Sequence, residues 1–198
     1  MSVLPKLSVE YKKKYALKSS NVMIDVLNPF DFHHYREGEN NNISWKWIQL
    51  PMKVEGKKLN KLVFHNKKDE SVSISLLINY DLTSNSEKPV VYYSPSKEAL
   101  IIFDGKGYRL YGGVTEYSSN FICCTDKVDL QKWLDGIPLQ FQPLIKESNG
   151  WAIELELNIN PSSSSYIYEW EFQSSNLQEL EELHSQYRDL LLNQRLSN

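Results

Sequence analysis

Between Ser71 and Tyr80 apolar and polar residues alternate. Val72, Ile74, Leu76, Ile78 and Tyr80 point one way, and Ser71, Ser73, Ser75 and Asn79 the other. Successive side chains leave a strand on opposite faces, so a period of two predicts a half-buried antiparallel strand. The same alternation recurs. Val22, Ile24 and Val26 share a face before Asn28-Pro29 ends the run, and Ile43, Trp45 and Trp47 share another. Leu62 and Phe64 oppose Val63 within 59–66. Trp151, Ile153, Leu155, Leu157 and Ile159 line one face late in the chain, and Tyr166, Tyr168, Trp170 and Phe172 line the next. Shorter apolar runs at 90–93, 99–103, 108–111 and 120–124 complete the set. Asp104-Gly105 between two of these runs predicts a tight hairpin.

Beyond residue 176 the period changes. Leu177, Leu180, Leu183, Tyr187, Leu190 and Leu191 recur at three and four, which predicts one amphipathic helix over 176–195. Ser175 and Gln178 have the spacing of a capping box. Acidic residues lie early (Glu179, Glu181, Glu182) and arginines late (Arg188, Arg195), as the helix dipole favours. Elsewhere 129–134 reads as one helical turn, 83–88 as a polar turn, 29–42 as a long loop, and 1–18 as a polar arm with a short strand near 7–9. Many short strands separated by turn signals predict an antiparallel β-sandwich with a C-terminal amphipathic α-helix. This is a single domain: sandwich over 1–175, helix over 176–198 packed on it or extending from it.

Composition narrows the function classes. The chain has 198 residues, 41% hydrophobic and 24% charged, with a net charge of -3. That size supports a sizeable core, and the charge argues against a nucleic-acid partner, which requires a basic face. Lys12, Lys13 and Lys14 read as a solvated face. The N-terminus lacks an apolar signal segment, and no apolar run approaches the roughly 20 residues that span a bilayer. No membrane partner is expected. The only cysteines are the adjacent Cys123 and Cys124, which point to opposite faces of a strand and resist pairing with each other. Free thiols without an export signal predict a cytoplasmic location.

The candidate chemistry is sparse. Glu154 and Glu156 share one strand face, as do Glu169 and Glu171, at about the spacing seen between glycosidase carboxyls. The solvent face of a half-buried sheet is the simpler origin of both pairs. Were 151–159 and 166–172 a hairpin, Glu156 would oppose Glu169 and Glu154 would oppose Glu171, an arrangement that like charges disfavour. Separation of the strands, a covering Lys or Arg, or a bound cation would each resolve it. His33, His34, His65 and His184 have no metal-ligand spacing, and neither a P-loop nor a dinucleotide fingerprint is present. No cofactor, no metal and no catalytic residue is expected. Trp45 and Trp47 flank Lys46 on one strand face and read either as core or as a stacking platform for a sugar.

Several segments carry a family likeness when taken in order. Residues 61–70 are an apolar strand followed by a charged turn. Residues 72–81 are a long alternating strand ending in Tyr80-Asp81, and 93–102 hold the Tyr93-Ser94-Pro95 turn before an apolar strand. Tyr108 to Val114, with Gly112-Gly113, is its hairpin partner, and 153–172 lead into the helix. Over 45–187 this order resembles the N-terminal β-supersandwich domain of bacterial glucoamylase-type glycoside hydrolases. The resemblance implies a galactose-mutarotase-like sandwich. In that family the acid and base glutamates belong to a helical barrel beyond the linker helix, so no catalytic residue carries over. Residues 115–120 also depart from the family's glycine-rich loop.

The resemblance implies a stand-alone, non-catalytic domain that binds an oligosaccharide or assists a separately encoded glycoside hydrolase. A second expectation is an interaction or structural protein with no sugar affinity, joined to a protein partner or a second copy through Leu177, Leu180, Leu183, Tyr187 and Leu191. A third is an enzyme using the acidic strand face.

Overall fold

The computed structural model describes residues 9–19, 22–29, 33–83, 88–115 and 121–193. Of the sequence expectations, the strand start at 7–8, most of the turn at 83–88, the segment 116–120 and the helix end at 194–195 lie outside the described residues.

Two antiparallel sheets face each other. The five-stranded sheet runs in the order β10 (Phe121–Cys124), β12 (Gly150–Ile159), β6 (Val72–Leu82), β1 (Tyr11–Ser19) and β2 (Val22–Leu27). The eight-stranded sheet runs β11 (Leu144–Ile145), β7 (Val90–Ser94), β8 (Ala99–Phe103), β9 (Tyr108–Thr115), β13 (Ser164–Ser174), β5 (Lys57–Asn66), β4 (Ile43–Leu50) and β3 (Tyr35–Glu39). Their inner faces enclose the main core, built from alternate residues such as Ile74, Leu76 and Ile78 of β6 and Leu62 and Phe64 of β5. The protein is therefore mainly β, a sandwich of antiparallel sheets with a C-terminal helix.

Each sheet is also covered on its outer face. The long helix α2 (Leu177–Asn193) lies over β9 and β13, where Leu180 and Leu191 are buried against Trp170, Phe172 and Leu110. Full burial of a leucine contributes about 1.5–3 kcal/mol, so these contacts anchor the helix. The short helix α1 (Leu130–Leu134) covers the five-stranded sheet, with Trp133 and Leu134 over Ala16, Leu77 and Ala152. Two alanines at outward positions leave room for the indole. Covering on both faces explains why β6 buries consecutive residues from Leu76 to Tyr80.

Several expectations are corrected. The arm at 11–18 is β1, a strand between β2 and β6. Its Tyr15 and Leu17 face the core, and Lys13 goes inward with them rather than joining a solvated basic face. The long loop contains β3. β12 and β13 are not hairpin neighbours. They lie in different sheets, β12 between β10 and β6 and β13 between β9 and β5. The apolar faces of the two strands therefore serve different cores, one between the sheets and one beneath α2. The helix is capped by Asn176, whose Oδ1 accepts from the amides of Gln178 and Glu179, so the capping position lies one residue after Ser175. The β8–β9 hairpin forms at 104–107 as expected, with Gly105 at φ 86° and Asp104 Oδ1 accepting from the amides of Lys106 and Gly107.

Candidate functional site

Between the sheets the core is not wholly apolar. β1 sends Tyr11, Lys13 and Tyr15 inward, and Tyr80 and Trp151 continue the row across β6 and β12. From the facing sheet β13 sends Glu169 and Glu171, flanked by Asn60 and Lys58 on β5. Glu169 is 2% exposed and Glu171 6%. Lys13 Nζ donates to Glu169 Oε1 at 2.7 Å and to Oε2 at 3.0 Å. The Tyr15 hydroxyl donates to the same Oε1 at 2.5 Å, and Asn60 Nδ2 donates there too. Trp47 Nε1 in turn donates to the Tyr15 hydroxyl at 3.1 Å. Glu171 Oε1 accepts from Tyr11 at 2.5 Å, and Lys58 Nζ stands 3.6 Å from Oε2.

These contacts hold the two carboxylates in place. Burial by itself would raise the Glu171 pKa. Lys58, Lys13, Arg109 and the Tyr11 hydrogen bond outweigh it and hold the carboxyl below its ordinary value. Burial, followed by the Glu169 charge, pushes the Tyr15 hydroxyl well above its usual range. A general acid or base works best with a pKa near the operating pH and with reach to a substrate. Glu171 has neither, and Glu169 is enclosed by donors. Both are buried counter-ions rather than residues of a solvent face.

The second acidic pair lies on the opposite side of the five-stranded sheet. Glu154 Oε1 accepts from Trp133 Nε1 at 2.7 Å, and Lys18 Nζ lies 4.0 Å from the centre of the Trp133 ring and donates to its carbonyl at 2.7 Å. Burial raises the Glu154 pKa, while the Trp133 hydrogen bond and Lys18 act against the rise. This cluster fastens α1 to the sheet. Glu156 sits two residues on, opposite Ser75. The four glutamates therefore form no common site, since the sheet separates the two pairs.

Trp45 and Trp47, the expected sugar platform, are 4% and 3% exposed and belong to the inter-sheet core. Neither offers a ring face to a ligand. Their strand lies against the main core because Ile43, Trp45 and Trp47 share the inward period. The helix stripe is also corrected. The stripe packs against the outer face of the protein's own eight-stranded sheet, with Leu180 and Leu191 buried and Leu177, Leu183 and Tyr187 half-buried. His184 completes this contact. Its Nδ1 accepts from Trp170 Nε1 at 3.1 Å and its Nε2 donates to the Lys97 carbonyl at 2.7 Å.

An open site lies beside α1. Register places Lys14, Asn79, Ala152 and Cys124 in one row across the outer face of the five-stranded sheet, and Val26, Ala16, Leu77 and Glu154 in the next. α1 covers part of these rows. Alongside it a groove of about 490 Å³ remains, floored by Lys14, Ala16, Val26, Asn79 and Asp81 and walled by the segment 127–130. Val26 is 40% exposed, and Lys127 Nζ approaches Asp81 Oδ1 at 3.6 Å across the groove's end. A second cavity of about 230 Å³ shares Lys127, Val128 and Asp129 and continues along Trp133, Leu139 and Gln140. The groove combines amines, carboxylates, an amide and apolar surface, the mix that small-molecule sites use to orient a ligand. Sequence reasoning missed it because its residues come from β1, β2, β6 and a loop. Asn79 and Asp81 gave no distinct local signal, because Ser73 and Ser75 make the same face of the strand polar.

No protein-family model and no curated protein matches the chain. Among the described residues, no helix is long and apolar enough to cross a membrane.

Proposed function

We propose that this chain is a non-catalytic sandwich domain that binds a carbohydrate, or assists a glycoside hydrolase, through the groove beside α1. The observation that carries this reading is the groove itself. A pyranose ring presents hydroxyls at its rim and C–H surface on its faces. Lys14 and Asp81 supply a donor and an acceptor for the rim, and exposed Val26 supplies apolar contact. The resemblance to the non-catalytic domain of glucoamylase-type enzymes supports the same class of ligand. The state of the acids agrees with a binding role: Glu169 and Glu171 are enclosed counter-ions, and Glu154 anchors α1. The test is calorimetric titration with a panel of neutral oligosaccharides, run on the parent protein and on Lys14→Ala. Saturable binding weakened by the substitution supports the reading, and no heat from any member of the panel removes it.

A second reading, a protein-interaction domain without sugar affinity, is favoured by one observation. Ile137 and Phe141, between α1 and β11, and Leu144, the first residue of β11, are 52%, 55% and 49% exposed. Exposed apolar side chains gathered in one patch mark contact surfaces, and these three lie within eight residues of chain. Self-association that is lost in Phe141→Ser, with no sugar binding in the parent, would establish this alternative.

A further inference from the structure

Each of the two outer cavities has a balanced lining. The larger carries Lys14 and Lys127 against Asp81 and Asp129. The smaller carries Lys127 and Lys132 against Asp126 and Asp129. A lining of one sign concentrates ligands of the opposite sign, whereas a balanced one gives no such field. Neither cavity therefore concentrates phosphorylated, acidic or polyamine ligands through an excess of one charge sign. Asp129 is further committed, since its Oδ1 accepts from the amides of Gln131 and Lys132 as the cap of α1.

The cavities are also neighbours. Lys127, Val128 and Asp129 line both, so one short segment stands between them. Along it the lining changes character. The larger cavity rests on strand residues of β1, β2 and β6. The smaller is bounded by Trp133 of α1 and by Leu139 and Gln140 of the following stretch. A ligand of one ring reaches one set of groups only. A linear ligand crossing the 127–129 segment contacts both.

We infer that the two cavities are consecutive subsites for one neutral, linear oligosaccharide, the larger holding one end and the smaller the next units. This inference rests on the carbohydrate reading above and adds the ligand's charge and length. Val26 is the position at which to block the larger subsite, because it is exposed on the groove floor. Gln140 is the position at which to block the smaller, since it is exposed and lies outside the regular elements.

The experiment is calorimetry on the full chain with glucose, maltose, maltotriose and maltotetraose, beside oligogalacturonate and chitosan oligomers of matched length. The same titrations are run on Val26→Trp and Gln140→Trp, with thermal unfolding to verify that both variants fold. Affinity is expected to rise about tenfold or more between one unit and three, the equivalent of one decade in Kd. The anionic and cationic series are expected to bind more weakly than the neutral one at equal length. Gln140→Trp is expected to remove the gain with length and leave binding of the single unit intact, while Val26→Trp weakens every member. Equal affinity for one unit and four, or an equal response to the charged series, overturns the two-subsite inference and leaves the carbohydrate reading standing. Absence of binding to all three series overturns both.

Discussion

Lys13 and Glu169 meet between the two sheets, with Nζ 2.7 Å from Oε1 and both side chains almost wholly buried. The pair ties the strand nearest the N-terminus to one of the last strands. Removing one partner of a buried ion pair leaves an uncompensated charge, which costs about 3–5 kcal/mol. Lys13→Met is therefore expected to lower stability by that amount in urea unfolding. The double variant Lys13→Met with Glu169→Gln is expected to recover much of the loss, because the amide carries no charge and still accepts from Tyr15. A single variant as stable as the parent would show that the pair contributes nothing.

His184 links α2 to the sheet and sets a pH dependence. Burial holds its pKa down, from 6.5 to about 4. The folded state thus binds fewer protons than the unfolded state between those values. The contribution is fully present above the unfolded pKa and is lost as pH falls toward 4. One pKa unit corresponds to 1.36 kcal/mol, so the loss across this window is on the order of 3 kcal/mol. Glu171, whose pKa is lowered, adds a loss of the same sign at more acidic pH, whereas Glu154, whose pKa is raised, works in the opposite direction. His184→Gln isolates the histidine. Its stability, measured by urea unfolding from pH 7 to 4, is expected to fall less steeply than that of the parent.

Gly112 lies beneath the same contact. A Cβ there would stand 2.6 Å from Trp170 Nε1 and 2.8 Å from the His184 ring. Both rings are enclosed by α2 and cannot retreat freely. Overpacking of this kind costs about 1–3 kcal/mol. Gly112→Ala is expected to lower the unfolding midpoint and to speed amide exchange in α2 more than in β6.

Trp45 and Trp47 distinguish a core role from a ligand platform. Truncation of a buried tryptophan to alanine costs about 3–5 kcal/mol, whereas loss of an exposed ring costs little stability. Trp45→Ala is expected to fall in the first class by thermal and urea unfolding. Near-parent stability would contradict the burial of this ring.

The alternation at 43–47, 72–80, 151–159 and 166–172, together with the helical period from Leu177 onward, determined the class of fold. That information is local, because the period of a half-buried element follows from its own backbone geometry. The hairpin at 104–107 and the helical turn at 130–134 were legible for the same reason. Partner identity was not. Tyr11 to Ser19 reads as a polar arm until Glu169 is placed opposite Lys13, and that glutamate lies 156 residues away. The period also assigned β13 a buried face without saying which core it serves. Tyr168, Trp170 and Phe172 pack under α2, and Glu169 and Glu171 turn toward the main core, because the chain crosses from one sheet to the other at 160–163. Nothing in a strand's own alternation encodes such a crossing. The groove is of the same kind. Val26, Lys14, Asn79 and Lys127 become neighbours only through register between strands and the lie of one loop. The sequence alone determined most of the strands and the long helix, though not β1 or β3, while tertiary structure decided which polar groups are buried together and where a surface stays open.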